Sequence, residues 1–183
     1  MKYAGSDGVA AYGAIMYVNF MFIAVFIGYA IGSAPIISFN YGAEDHVALK
    51  NIFRKSIRLI GVMAIVMTAA GEILCRPLAR MFVGYDSGLM EMTVGAFRIY
   101  IVMYLICGFN IFGSDFFTAL NNGTVSAVIS FLRTLVFQTG AVFLLPALFG
   151  LNGIWCAIIV AEIMAMIVTL TFIFRLKDRY HYM

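Results

Sequence analysis

Six amide or ionisable side chains lie well inside stretches that are otherwise mostly apolar, away from their ends: Asn19, Asn110, Asp115, Arg133, Gln138 and Glu162. Ionisable groups surrounded by hydrocarbon are costly, so each one asks for a partner or a role. Glu162 is the sharpest case. It is the ninth residue of its apolar stretch counted from Ile154. At about 1.5 Å per residue this puts it about 12 Å deep, close to the midplane of a bilayer core about 30 Å thick. Asn19, Asn110 and Gln138 come to broadly similar depths, and no basic residue obviously shares that level. A carboxyl at such a depth either keeps its proton or holds a cation, which is the chemistry a proton-coupled or cation-binding transporter needs. The competing reading is a neutral Glu hydrogen-bonded to a neighbouring helix, and the sequence leaves both open.

Asp115 and Arg133 form the second constellation. They flank the turn Asn121-Asn122-Gly123, and in an antiparallel hairpin the long Arg side chain can reach back towards Asp115. A structural ion pair is expected there, with a gating contact as the sharper alternative. Glu72 and Arg76 read as an i,i+4 pair near the end of a span. Enzymatic chemistry within the bilayer would need a nucleophile with its base, an Asp pair or a metal cluster. The carboxylates are on different stretches without such a motif, and both histidines, His46 and His181, fall in basic segments. Cys75, Cys107 and Cys156 lie in or at the ends of apolar stretches and read as small packing residues. The spacing supports no metal site or cofactor, and a net charge of +3 needs no nucleic acid to explain it.

These residues must be positioned by membrane helices. The chain has 183 residues, of which 63% are apolar and 11% charged, with the charges gathered between long apolar runs. Such a composition fits a polytopic all-α membrane bundle in contact with lipid. Five transmembrane helices are predicted, at about 9–37, 59–75, 96–120, 125–149 and 154–174, the first ending near Pro35. Asn121-Asn122-Gly123 and Gly150-Leu151-Asn152-Gly153 are tight turns between them. Gly28 and Gly32, continued at Ala24, form a small-residue stripe suited to close helix packing. Phe22, Phe26, Tyr29, Phe109, Phe112 and Met164 are read as packing or lipid-facing residues, except where they line a cavity and meet flat cations.

Lys50, Arg54, Lys55 and Arg58 precede the second helix, and Arg175, Lys177 and Arg179 follow the fifth, so both groups fall on one side. Lys2, Arg76 and Arg80, with Arg98 just inside the third helix, fall on the other. The excess places the C-terminus in the cytoplasm and the N-terminus outside. Anionic headgroups can meet the basic loops. An N-out start with an odd helix count is expected of a piece of a longer chain.

Three strings carry a family resemblance: PIISFNYGAEDHVALKNIFRKSIRL from Pro35 to Leu59, DFFTALNNGTVSAVISFLRTLVFQ from Asp115 to Gln138, and LLPALFGLNGIWCAIIVAE from Leu144 to Glu162. In this order they resemble the multidrug and toxic compound extrusion (MATE) transporters, in particular the bacterial multidrug-export branch. The resemblance covers nearly the whole chain. It implies twelve helices in two six-helix lobes around a central cavity, exchanging cationic or amphipathic drugs for protons or sodium. It further implies a multi-pass protein of the cell membrane in which this chain supplies helices eight to twelve, most of the C-terminal lobe. The N-terminal lobe would then be its partner, and drugs or toxins its ligands. Two alternatives remain: a flippase of similar fold for lipid-linked saccharides, which would line its cavity with several basic residues, and a structural membrane subunit that does not transport.

Overall fold

The computed structural model describes residues 5–183, all helical apart from short turns and the tail, with no strand among them. Helix α1 (Gly5–Gly42) and helix α2 (His46–Val83) have 38 residues each. At about 1.5 Å per residue each is about 57 Å long, well beyond a bilayer core. Helix α1 runs through Pro35 rather than ending at it. A proline removes one helical hydrogen bond, which packed membrane helices tolerate.

Helix α2 begins a full thirteen residues before the expected start at 59. The basic stretch read as a connecting loop is helical because its apolar residues recur at helical spacing. Leu49, Phe53, Ser56, Ile60 and Ala64 are buried, while Arg54, Lys55 and Arg58 point outward. The Asp45 carboxylate caps the first turn by accepting from the Ala48 amide at 2.9 Å. Lys2, counted in the charge asymmetry, lies outside the described residues.

The third expected span is two helices. α3 (Ser87–Ile101), capped by Asp86 accepting from the Leu89 amide at 3.0 Å, meets α4 (Tyr104–Ala119) at a 48° bend. No proline causes it. The amides of Val102, Met103 and Leu105 bond to carbonyls three residues back, and this tighter winding breaks the axis.

After the Asn121 turn, where φ is 57°, Asn122 caps α5 (Gly123–Phe131). A π-helical stretch, Leu132–Gln138, leads into α6 (Thr139–Tyr180). Gly150 divides α6 with φ 60° and ψ −135°, a conformation essentially reserved for glycine. Arms 139–149 and 151–180 then fold back on one another, packing Ala141 and Leu145 against Ala157 and Ala161. A Cβ on Gly153 would strike the Leu145 carbonyl. Three helical stretches are long and apolar enough to cross a membrane, or four with the bent α3–α4 pair counted as one. The reversal at Gly150 splits the longest, 123–180, into two antiparallel arms.

Two apolar cores are stacked along the bundle. One gathers Ile15, Phe97, Tyr104, Cys107 and Trp155; the other gathers Phe53, Phe112, Phe116, Phe117 and Tyr182. Tyr182, wholly buried, donates to the Ile173 carbonyl at 2.7 Å and tethers the tail. On α4 and α6 the seam between these cores falls at Asn110 and Glu162.

Candidate functional site

Arg133 and Glu162 meet at that seam. The expected depths explain why: Arg133 is ten residues beyond Gly123, about 15 Å from one end of its helix, and Glu162 is about 12 Å from the opposite end of its own. Counted from opposite faces of the bilayer, these depths coincide. Arg133 Nη2 lies 2.7 Å from Glu162 Oε1, and Nε donates to the same oxygen at 2.9 Å. The Glu162 side chain is 4% exposed and that of Arg133 21%. Asn110 completes the set, its Nδ2 donating to Glu162 Oε2 at 2.8 Å and to the Glu162 carbonyl at 3.0 Å.

Two expectations are corrected here. Glu162 does have a basic partner at its own level, and the partner of Arg133 is Glu162 rather than Asp115. Arg133 and Gln138 both belong to the π-helical stretch, and both line the same cleft. Near the other end of the bundle, Glu72 and Arg76 also avoid each other. Glu72 pairs with Arg98 at 2.8 Å and Arg76 with Glu91 at 3.5 Å, because α3 brings opposite charges alongside α2. These pairs are more than half-exposed or nearly so, and such surface pairs stabilise little.

Glu162 and Arg133 form part of the wall of an open cleft of about 590 Å³, to which Asn19, Asp115 and Gln138 also contribute. Asn110 is behind this wall, fully buried. The structure thus brings all six sequence-selected residues to one region, five on the cleft and one bracing it. Among the described residues, Asn19 Oδ1 and Asn110 Oδ1 are buried without a hydrogen-bond partner. Unsatisfied acceptors at such a level call for water, an ion or a ligand donor.

Sequence reasoning missed the hydroxyls. Ser114, Ser130, Thr134 and Tyr100 also line the cleft. Ser114 Oγ is 2.7 Å from Ser130 Oγ and 2.9 Å from Ser126 Oγ, and Thr118 donates to Ser126 Oγ at 2.7 Å. The signal was present in the spacing: Asn110, Ser114 and Thr118 recur every four residues, as do Ser126, Ser130, Thr134 and Gln138. A polar stripe of that period on an apolar helix marks a face turned to a partner or a cavity.

Apolar side chains complete the enclosure. Met16, Phe20, Ile23 and Ile27 from α1 face this polar wall across the cleft. The arrangement offers a flat, greasy surface opposite a carboxylate whose charge is held by one guanidinium and one amide.

Residues 1–144 match the MatE family. Among curated proteins the chain is 22% identical, over 180 residues, to the multidrug export protein MepA of Staphylococcus aureus; the match covers 98% of this chain and 39% of the relative. The chain therefore spans about two fifths of the length of that relative. Among solved structures it resembles the outward-facing conformation of a multidrug resistance MATE family transporter of the MOP superfamily, with a TM-score of 0.86 and 23% identity over 96% of this chain and 40% of that one. The bent form of the Vibrio cholerae MATE transporter VcmN gives a TM-score of 0.83 at 17% identity, covering 91% of this chain and 38% of that one.

Proposed function

This chain belongs to the MatE family, and on that footing we propose that it forms part of a cation-coupled multidrug efflux antiporter in the cell membrane, exporting amphipathic, often cationic compounds by alternating access. The observation that carries this reading is the buried Glu162 carboxylate, held by Arg133 and Asn110 on the wall of the 590 Å³ cleft. Apolar side chains on the α1 side take the body of the substrate, and Glu162 takes a cation. The coupling ion, proton or sodium, competes for the same carboxylate, so one occupant is released as the other binds. The remaining lobe of the transporter is the partner that closes the cleft into a translocation path.

A flippase for lipid-linked saccharides is less well supported. It would present several free basic groups to a pyrophosphate, whereas among the described residues Arg133 is the only basic one lining the cleft and its charge is matched by Glu162.

The test is a Glu162→Gln substitution in the intact transporter, which retains shape and hydrogen bonding but removes the titratable charge. Export of a cationic dye from a drug-sensitive host is expected to fall at least tenfold and to lose its dependence on external pH or sodium, at unchanged expression. Wild-type export with unchanged ion dependence would make Glu162 merely structural. The isolated chain in vesicles is expected not to transport; if it did, the proposed partner lobe would be unnecessary.

A further inference from the structure

A second concavity, unrelated to the cleft, lies among α2, α4 and the 151–180 arm of α6. It is an apolar groove of about 280 Å³ with Phe109, Met166 and Leu170 on its walls. Phe53, Ile57 and Met183 line it too, and the same three residues line an adjoining groove of about 300 Å³ whose remaining walls are Arg54 and Arg58. Along α6 the lining runs from Met166 to Phe174, about 12 Å along the helix axis. The groove is thus elongated across one half of a bilayer, apolar in its depth and basic where it meets the charged end of the bundle.

Two features suit this groove to a specific occupant. Arg54 and Arg58 are exposed, one helical turn apart, and neither forms a salt bridge among the described residues. No Asp or Glu side chain lines either groove.

We infer that this groove is a binding site for one anionic glycerophospholipid of the adjacent leaflet. An acyl chain lies along the apolar wall and the phosphate rests between Arg54 and Arg58. Guanidinium pairs hold phosphate oxygens by charge-assisted hydrogen bonds. A zwitterionic lipid offers the same chain but no net charge, so the arginines confer headgroup selectivity. The site is independent of the transport cleft and of the function proposed for it.

Native mass spectrometry of the purified chain, titrated with phosphatidylglycerol and with phosphatidylcholine of equal acyl length, tests this. One phosphatidylglycerol is expected to stay bound under conditions that strip phosphatidylcholine. Each of Arg54→Gln and Arg58→Gln should weaken it about fivefold, while Lys55→Gln, an exposed neighbour that does not line the groove, should change it by less than about twofold. Leu170→Trp fills the groove and should displace the lipid with both arginines intact. Because Arg54, Lys55 and Arg58 are exposed, their substitution leaves the helix folded. Equal retention of both lipids, equal sensitivity to Lys55→Gln, or undiminished binding by Leu170→Trp would each overturn the site.

Discussion

The Arg133 guanidinium directs two nitrogens, Nη2 and Nε, at a single oxygen of Glu162, at 2.7 and 2.9 Å, and leaves the other oxygen to Asn110. Each carboxylate oxygen is therefore tied to a different helix, so losing one partner does not release the other. Breaking a buried pair strands the survivor, and the cost falls on whichever residue is less able to reach water. Glu162 is nearly enclosed, whereas Arg133 reaches the open cleft.

The asymmetry predicts an unequal mutant cycle. Arg133→Gln should destabilise the protein by about 3 kcal/mol, because it leaves a buried carboxylate with Asn110 alone. Glu162→Gln should cost about 1 kcal/mol, since the guanidinium can turn to water in the cleft. Combining the two should recover part of the larger loss. Thermal unfolding of the three variants in one detergent measures this, and equal single-mutant losses would contradict the unequal burial.

Asp115 provides a contrast. It lines the cleft without pairing to Arg133, so Asp115→Asn should shift stability by no more than about 0.5 kcal/mol. A loss of several kcal/mol in the same unfolding assay would indicate an ion pair that the geometry does not contain.

Much of the fold was readable because lipid imposes strict rules: long apolar runs had to be helices, and Asn-Gly and Gly-Leu-Asn-Gly had to be turns. Helix ends were harder. The stretch Lys50 to Arg58 reads as a loop by charge, but its apolar residues keep helical spacing, and α2 simply continues beyond the apolar region. The bend at Val102 and Met103 has no Pro or Gly to announce it and depends on tertiary packing. For the site, the sequence selected residues that the structure gathers around one cleft, but it paired them wrongly. Sequence neighbours across a turn, Asp115 and Arg133, looked closer than Arg133 and Glu162, which are brought together by the fold-back at Gly150.

That fold-back makes Gly150 a sensitive position. Its φ of 60° with ψ of −135° is unfavourable for any residue with a Cβ. Gly150→Ala should therefore destabilise the protein by about 1–3 kcal/mol, although open space surrounds the position. Gly123→Ala is the control, since Gly123 has equally open space and no positive φ. If both variants unfold alike, backbone conformation at 150 is not what shapes the hairpin.

Orientation follows from charge and can be measured directly. The turn between α1 and α2, together with the helical stretch up to Arg58 and the tail from Arg175, carries most of the basic residues, so both should face the cytoplasm. The α2–α3 turn at Gly84 to Asp86 should then be external. In a background with Cys75, Cys107 and Cys156 replaced by Ala, a membrane-impermeant maleimide applied to intact cells should label Asp86→Cys and spare His46→Cys until the cells are opened. His46 and His181 are neighbours, with ring centroids 4.8 Å apart, so a cysteine introduced at 181 should behave like one at 46 and provides an internal check. Labelling of 46 and 181 from outside, with 86 protected, would invert the topology and place the basic end of the lipid groove in the outer leaflet.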